Sequence, residues 1–114
     1  MPPKTDKKIL IIGYVWPEPK TTAAGGRLLQ LIHFFLEQDY RITFASTAAE
    51  SEFSFNLDGL GVLKKAILLN NSSFDTFLMD LDPDIVLFDR FMTEEQFGWR
   101  VVENAPNALR ILDT

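Results

Sequence analysis

Two hydrophobic rhythms alternate along this chain, and their order predicts its elements. Residues 7–15 (KKILIIGYV) are apolar without alternation between faces, which predicts a strand covered on both sides, as in a parallel sheet between helices. Residues 16–22 (WPEPKTT) hold two prolines and predict a loop. From residue 23 to residue 38 the period becomes helical: Leu28, Leu31, Ile32 and Phe35 fall at i, i+3, i+4 and i+7, and Leu29 and Leu36 widen the stripe. Asp39 and Tyr40 turn the chain into RITFAS, residues 41–46, a second strand of β-formers. A crossover between parallel strands is right-handed, so this helix has a definite face of the sheet.

The stretch 47–61 is acidic and mixed, with Phe53, Phe55, Leu57 and Leu60 as anchors for a short helix. Residues 62–69 (VLKKAILL) predict a third strand. NNSS at 70–73 supplies an N-cap for a helix over 74–81, which Asp82-Pro83 stops because proline restrains the residue before it and cannot extend the ladder. DIVLF at 84–88 is a fourth strand. Thr93 to Gln96 has the capping-box spacing, opening a helix whose Phe97, Val101 and Val102 face inward. Ala105-Pro106-Asn107 breaks it before ALRIL, residues 108–112, a fifth strand. The sum is one Rossmann-like domain over residues 1–114: α/β, three layers, about five mostly parallel strands.

Composition narrows the function classes. With 46% hydrophobic and 24% charged residues, the 114-residue chain can bury a core. A net charge of −5 argues against a general nucleic-acid binder, which needs basic surface to displace counterions. No cysteine and one histidine exclude disulfides and thiolate chemistry and give no expectation of a metal or other cofactor. No apolar run approaches the roughly 18 residues of a membrane span, and the opening MPPKTDKK is too polar for a secretory signal, so a cytoplasmic location is expected.

In open α/β sheets ligands bind beyond the carboxyl ends of the strands, where strand order reverses. That rule selects Gly13, Tyr14 and Trp16 with the loop to Arg27, then Ser46 and Thr47, Asn70, Asp89 with Arg90, and Asp113. Ala24-Gly25-Gly26-Arg27 opens the first helix, where free amides and the dipole favour an anion and Arg27 could add a bidentate contact. Equally, the glycines could serve close helix packing while Arg27 is solvated. Gly13 lacks the G-x-G-x-x-G spacing and no G-K-[ST] occurs, which removes the dinucleotide fingerprint and the Walker loop. Asp89 and Asp113 end neighbouring strands, either as an acid–base pair or, the favoured reading, as turn caps. His33 reads as a packed or half-exposed imidazole. Trp16 could stack on a sugar or base, or pin its loop to the body.

These residues carry a resemblance. KILIIGYVWPEPKTTAAGGRLLQLIHFFLEQDYRITFAS, residues 8–46, resembles the opening of group-1 (family 4-like) glycosyltransferases of the GT-B fold, and PDIVLFD and ALRILDT resemble later strands of the same N-terminal domain. The resemblance implies an acceptor-side half whose Gly25, Gly26 and Arg27 face the diphosphate of a nucleotide-sugar donor; the strand-end rule adds Trp16, Asp89, Arg90 and Asp113 as candidates for the cleft. It implies a nucleotide sugar and an acceptor as substrates of the whole enzyme, and no transfer by this half alone. The chain departs from the pattern in having no glycine directly before Pro17 or Pro19. A last strand with no helix after it is expected to leave an apolar strip, covered by a C-terminal domain or a second copy. Two other readings remain: a receiver-like signalling domain, from the likeness of residues 82–103 to a phosphoacceptor segment with Asp89, and a non-catalytic partner-binding domain.

Overall fold

The computed structural model describes residues 7–18, 23–52 and 54–113, with Ala23 and Ala24 described in backbone only. The expected loose terminus at 1–6, the loop residues 19–22, Phe53 and Thr114 lie outside the described residues. Five strands and three α-helices alternate: β1 (Lys8–Gly13), α1 (Ala23–Glu37), β2 (Arg41–Ser46), a 3-10 turn (Leu57–Leu60), β3 (Leu63–Ala66), α2 (Ser73–Leu81), β4 (Ile85–Asp89), α3 (Phe91–Asn104) and β5 (Leu109–Asp113). The strands form one sheet in the order β3-β2-β1-β4-β5, every pair parallel.

The unbroken apolarity of β1 has its cause in this order. β1 is central, and residues 9–12 are fully buried. Ile9 and Ile11 enter a core with Leu28, Ile32 and Phe35 of α1 and Leu57 of the 3-10 turn. Leu10 and Ile12 enter a second core with Phe74 and Leu78 of α2 and Phe97 and Val101 of α3. The sheet therefore has α1 and the 3-10 turn on one face and α2 and α3 on the other, the three layers expected. At about 25 cal/mol per Å² of apolar surface, each such side chain contributes roughly 1.5–3 kcal/mol on burial.

Several local expectations change. The residues expected to fill the third strand reach beyond it: β3 is an edge strand of four residues, and Leu68 and Leu69 follow it exposed. The short helix expected in 47–61 is the 3-10 turn, anchored by fully buried Leu57 and ended by Gly61 at φ 80°. The N-cap of α2 falls where expected, at Ser72 within 70–73, and the Asn71 Oδ1 accepts a hydrogen bond from the Ser73 N–H at 2.8 Å. The capping-box reading of Thr93 is corrected: α3 begins at Phe91, and Thr93 is buried inside its first turn. Val102 also points outward, 45% exposed, one helical step from the buried stripe of Phe97 and Val101.

Candidate functional site

From β1 the chain leaves toward β2, and from β4 it leaves toward β5, so the loops after these two neighbours diverge and open a crevice at their carboxyl ends. The loop after β1 enters it through Tyr14 and Val15, both exposed. It then turns back at Trp16, which is 5% exposed, lies 5.4 Å from the Phe44 ring, and donates its indole N–H to the Ala48 carbonyl at 2.6 Å. Of the two roles open to Trp16, this contact supports pinning the loop, because its polar tip is already committed.

The start of α1 packs against this loop. A Cβ on Gly25 would lie 2.7–2.8 Å from backbone atoms of Glu18, while one on Gly26 would meet nothing within 4 Å. Gly25 thus serves close packing, and Gly26 faces open space. Arg27, one residue on, donates from Nη2 to Asp113 Oδ1 at 2.6 Å across the crevice, tying α1 to the end of β5. That hydrogen bond, with the charge of Asp113, holds the Arg27 pKa above its ordinary value.

The β4 end supplies the opposite wall. Asp89 stands beside Asp113 in the sheet register. Burial pushes its carboxyl pKa up; Arg90 opposes that shift, Asp113 adds to it, and Arg27 opposes it again. Arg90 has φ 75° and ψ 152°, a region that costs a non-glycine residue on the order of 1–3 kcal/mol. Two contacts hold it there. Its N–H donates to the Asp113 carbonyl at 2.7 Å, and the Thr93 hydroxyl lies 2.8 Å from the Asp89 carbonyl and 2.9 Å from that of Arg90. The Arg90 guanidinium rests over the Tyr14 ring, 5.3 Å from its centroid, in cation–π range.

The expected residues therefore converge: Gly25, Gly26, Arg27, Asp89, Arg90 and Asp113 share one edge, with Trp16 beneath. Gly25, Asp89 and Arg90 line a cleft with Val15, Trp16, Pro17 and Leu28 whose volume is about 10 Å³, room for one water. A larger ligand must bind across the rim or shift the loop. His33 lies apart, exposed mid-helix on α1. Sequence reasoning missed the strained backbone of Arg90 and the hydroxyl that holds it, since neither residue type signals such a role. It also missed that Leu68, Leu69, Phe91 and Met92 join Tyr14 and Val15 as exposed apolar groups just past strand ends, because the expected strands 7–15 and 62–69 took in four of these six.

A separate hollow of about 370 Å³ lies over β5, lined by Phe88, Glu94 and residues 108–112, where the sheet runs out from under α3. Leu109 and Leu112 are 60% and 43% exposed, one on each face of the last strand. Among the described residues no group of three His, Asp or Glu side chains could hold a metal ion, and no helix is long and apolar enough to cross a membrane.

Fold and switch point together define a Rossmann-like α/β domain with a mixed-charge site at its carboxyl edge. No protein-family model matches the chain, and a search of curated proteins finds no similar protein.

Proposed function

We propose that this chain is the acceptor-side, N-terminal half of a cytoplasmic two-domain GT-B glycosyltransferase, with Gly26 and Arg27 turned toward the diphosphate of a nucleotide-sugar donor held by a second domain. The observation that carries the reading is the carboxyl edge of the sheet: Gly26 open to approach, Arg27 and Arg90 on the same edge, and apolar side chains exposed just past the ends of β1, β3 and β4. A surface of that composition suits closure by a second domain over a charged ligand. The nearly filled cleft fits a half-site, since it leaves the nucleotide sugar to the opposite wall. Holding donor and acceptor in line across such a gap supplies the positional part of catalysis, and the arginines stabilise the departing diphosphate.

The receiver reading loses support on topology. Receivers follow the order 2-1-3-4-5, whereas this sheet runs β3-β2-β1-β4-β5, and β1 ends in Gly13-Tyr14 without an acidic pair. The partner-binding reading keeps one support, the exposed leucines of β5, Leu109 and Leu112.

The test begins with the reading frame downstream of Thr114. A second Rossmann-like domain there, and release of nucleoside diphosphate from a nucleotide sugar by the joined protein, are the expected results. Arg27→Ala should then lower turnover by about a hundred- to a thousandfold, as loss of one charge-stabilising donor does. A joined protein that releases no diphosphate from any nucleotide sugar in a broad panel would end the reading.

A further inference from the structure

The charges at the switch point are unevenly committed. Asp113 grips Arg27 at 2.6 Å and keeps only 17% of its side chain exposed, while Arg27 is 62% exposed. Arg90 makes no ion pair with the described residues and leans on Tyr14 instead. Asp89, next to Asp113 in register, accepts no side-chain hydrogen bond from the described residues. Asp113 thus depends on Arg27, and Asp89 chiefly on the charge of Arg90, so an anion arriving between the two arginines must compete with both carboxylates.

We propose that Asp113 holds Arg27 in reserve, and that a phosphate-class dianion bridging Arg27 and Arg90 binds together with one proton, taken up by the Asp89–Asp113 carboxylate pair. The inference rests on the anion-facing role given to Arg27 above and adds a linkage to it. Drawing Arg27 away leaves two carboxylates side by side with a new negative charge in front of them. Like charge beside like charge favours uptake of a proton, the direction in which burial and the charge of Asp113 already push Asp89. The groups facing the pair are Arg27 from α1, Arg90 at the start of α3 and Tyr14 after β1. Glu18, in the loop after β1, accepts a hydrogen bond from the Ser51 hydroxyl at 2.8 Å. Because the bound state holds the extra proton, anion affinity rises as pH falls toward the carboxylate range.

Sulfate is the probe, since it stays a dianion throughout that range and any proton taken up must lie on the protein. Sodium sulfate is titrated at constant ionic strength while NMR follows the Gly26 and Arg27 amides and the Asp89 and Asp113 carboxyl carbons. In the wild type, affinity should strengthen by up to about tenfold per pH unit through the window, the slope for one linked proton. One carboxyl carbon should move toward its protonated position on binding. Asp113→Asn should bind sulfate about tenfold more tightly at neutral pH and lose most of the slope, and Arg27→Ala should weaken binding in both backgrounds. Equal slopes in wild type and Asp113→Asn, or no gain in affinity, overturn the linkage while leaving the anion-facing role standing. If sulfate moves neither amide in either protein, the role and the linkage fall together. The glycosyltransferase reading is decided separately, by the nucleotide-sugar assay.

Discussion

A Cβ placed on Gly25 would meet the Glu18 backbone at 2.7–2.8 Å, whereas one on Gly26 would enter open space. Successive helical residues point about 100° apart, so neighbours in sequence can face a loop and the solvent. Gly25→Ala must push backbone rather than a flexible side chain, and is expected to destabilise the fold by about 1–3 kcal/mol. Gly26→Ala removes helix-opposing flexibility without a clash, and should be neutral or stabilising by up to about 1 kcal/mol. Urea denaturation of the two variants checks this, and similar losses in both would show that the loop does not pack as described. From the sequence the two glycines read as one feature with two explanations; the explanations belong to different residues. Trp16 was undecidable in the same way. Whether its indole meets a ligand or the Ala48 carbonyl depends on a residue 32 positions away, which no local pattern encodes.

At the level of elements, the strands and helices were legible wherever burial is two-sided or striped. β1, β2 and β4 are buried through their middles, and α1 buries Leu28, Ile32 and Phe35 as their spacing requires. Legibility failed at the edge, where β3 stops short, and at the start of α3, where a serviceable capping motif was overridden. There the chain turns in one residue from β4 to helix, and Arg90 takes up the turn at φ 75° while Thr93 binds the carbonyls behind it. Tertiary geometry, the need to reach the Asp113 carbonyl, won over the local cap. Glycine at position 90 would adopt the same conformation without strain. Arg90→Gly is therefore expected to raise stability by about 1 kcal/mol, measured as a higher urea midpoint, despite losing the contact with Tyr14. A lower midpoint would mean that the cation–π contact outweighs the strain. A strained arginine at a switch point is also what a functional constraint leaves behind, so the more stable variant should be the poorer binder of sulfate.

Across the whole molecule, the net charge of −5 and the switch-point site pull in different directions. Arg27, Arg90, Asp89 and Asp113 sum to zero, so the carboxyl edge is a neutral island on an acidic protein, poised to be upset by one added anion or one lost proton. Asp89 makes that balance visible in stability. Its folded-state pKa is raised, chiefly by burial, from an ordinary 3.8. Between that value and the raised one the folded state binds more protons than the unfolded state, so this group's contribution to stability falls as pH rises through the window. Above the window the ionised Asp89 is a standing cost, and below the ordinary carboxylate range it is protonated in both states and costs nothing. Asp89→Asn is neutral at every pH. It should exceed the wild type in urea midpoint at neutral pH, with the difference closing as the pH is lowered through the window. A wild type that is the more stable protein at neutral pH would show that Arg90 and Arg27 together outweigh burial, and that Asp89 is a satisfied ion-pair partner rather than a carboxylate kept ready for a proton.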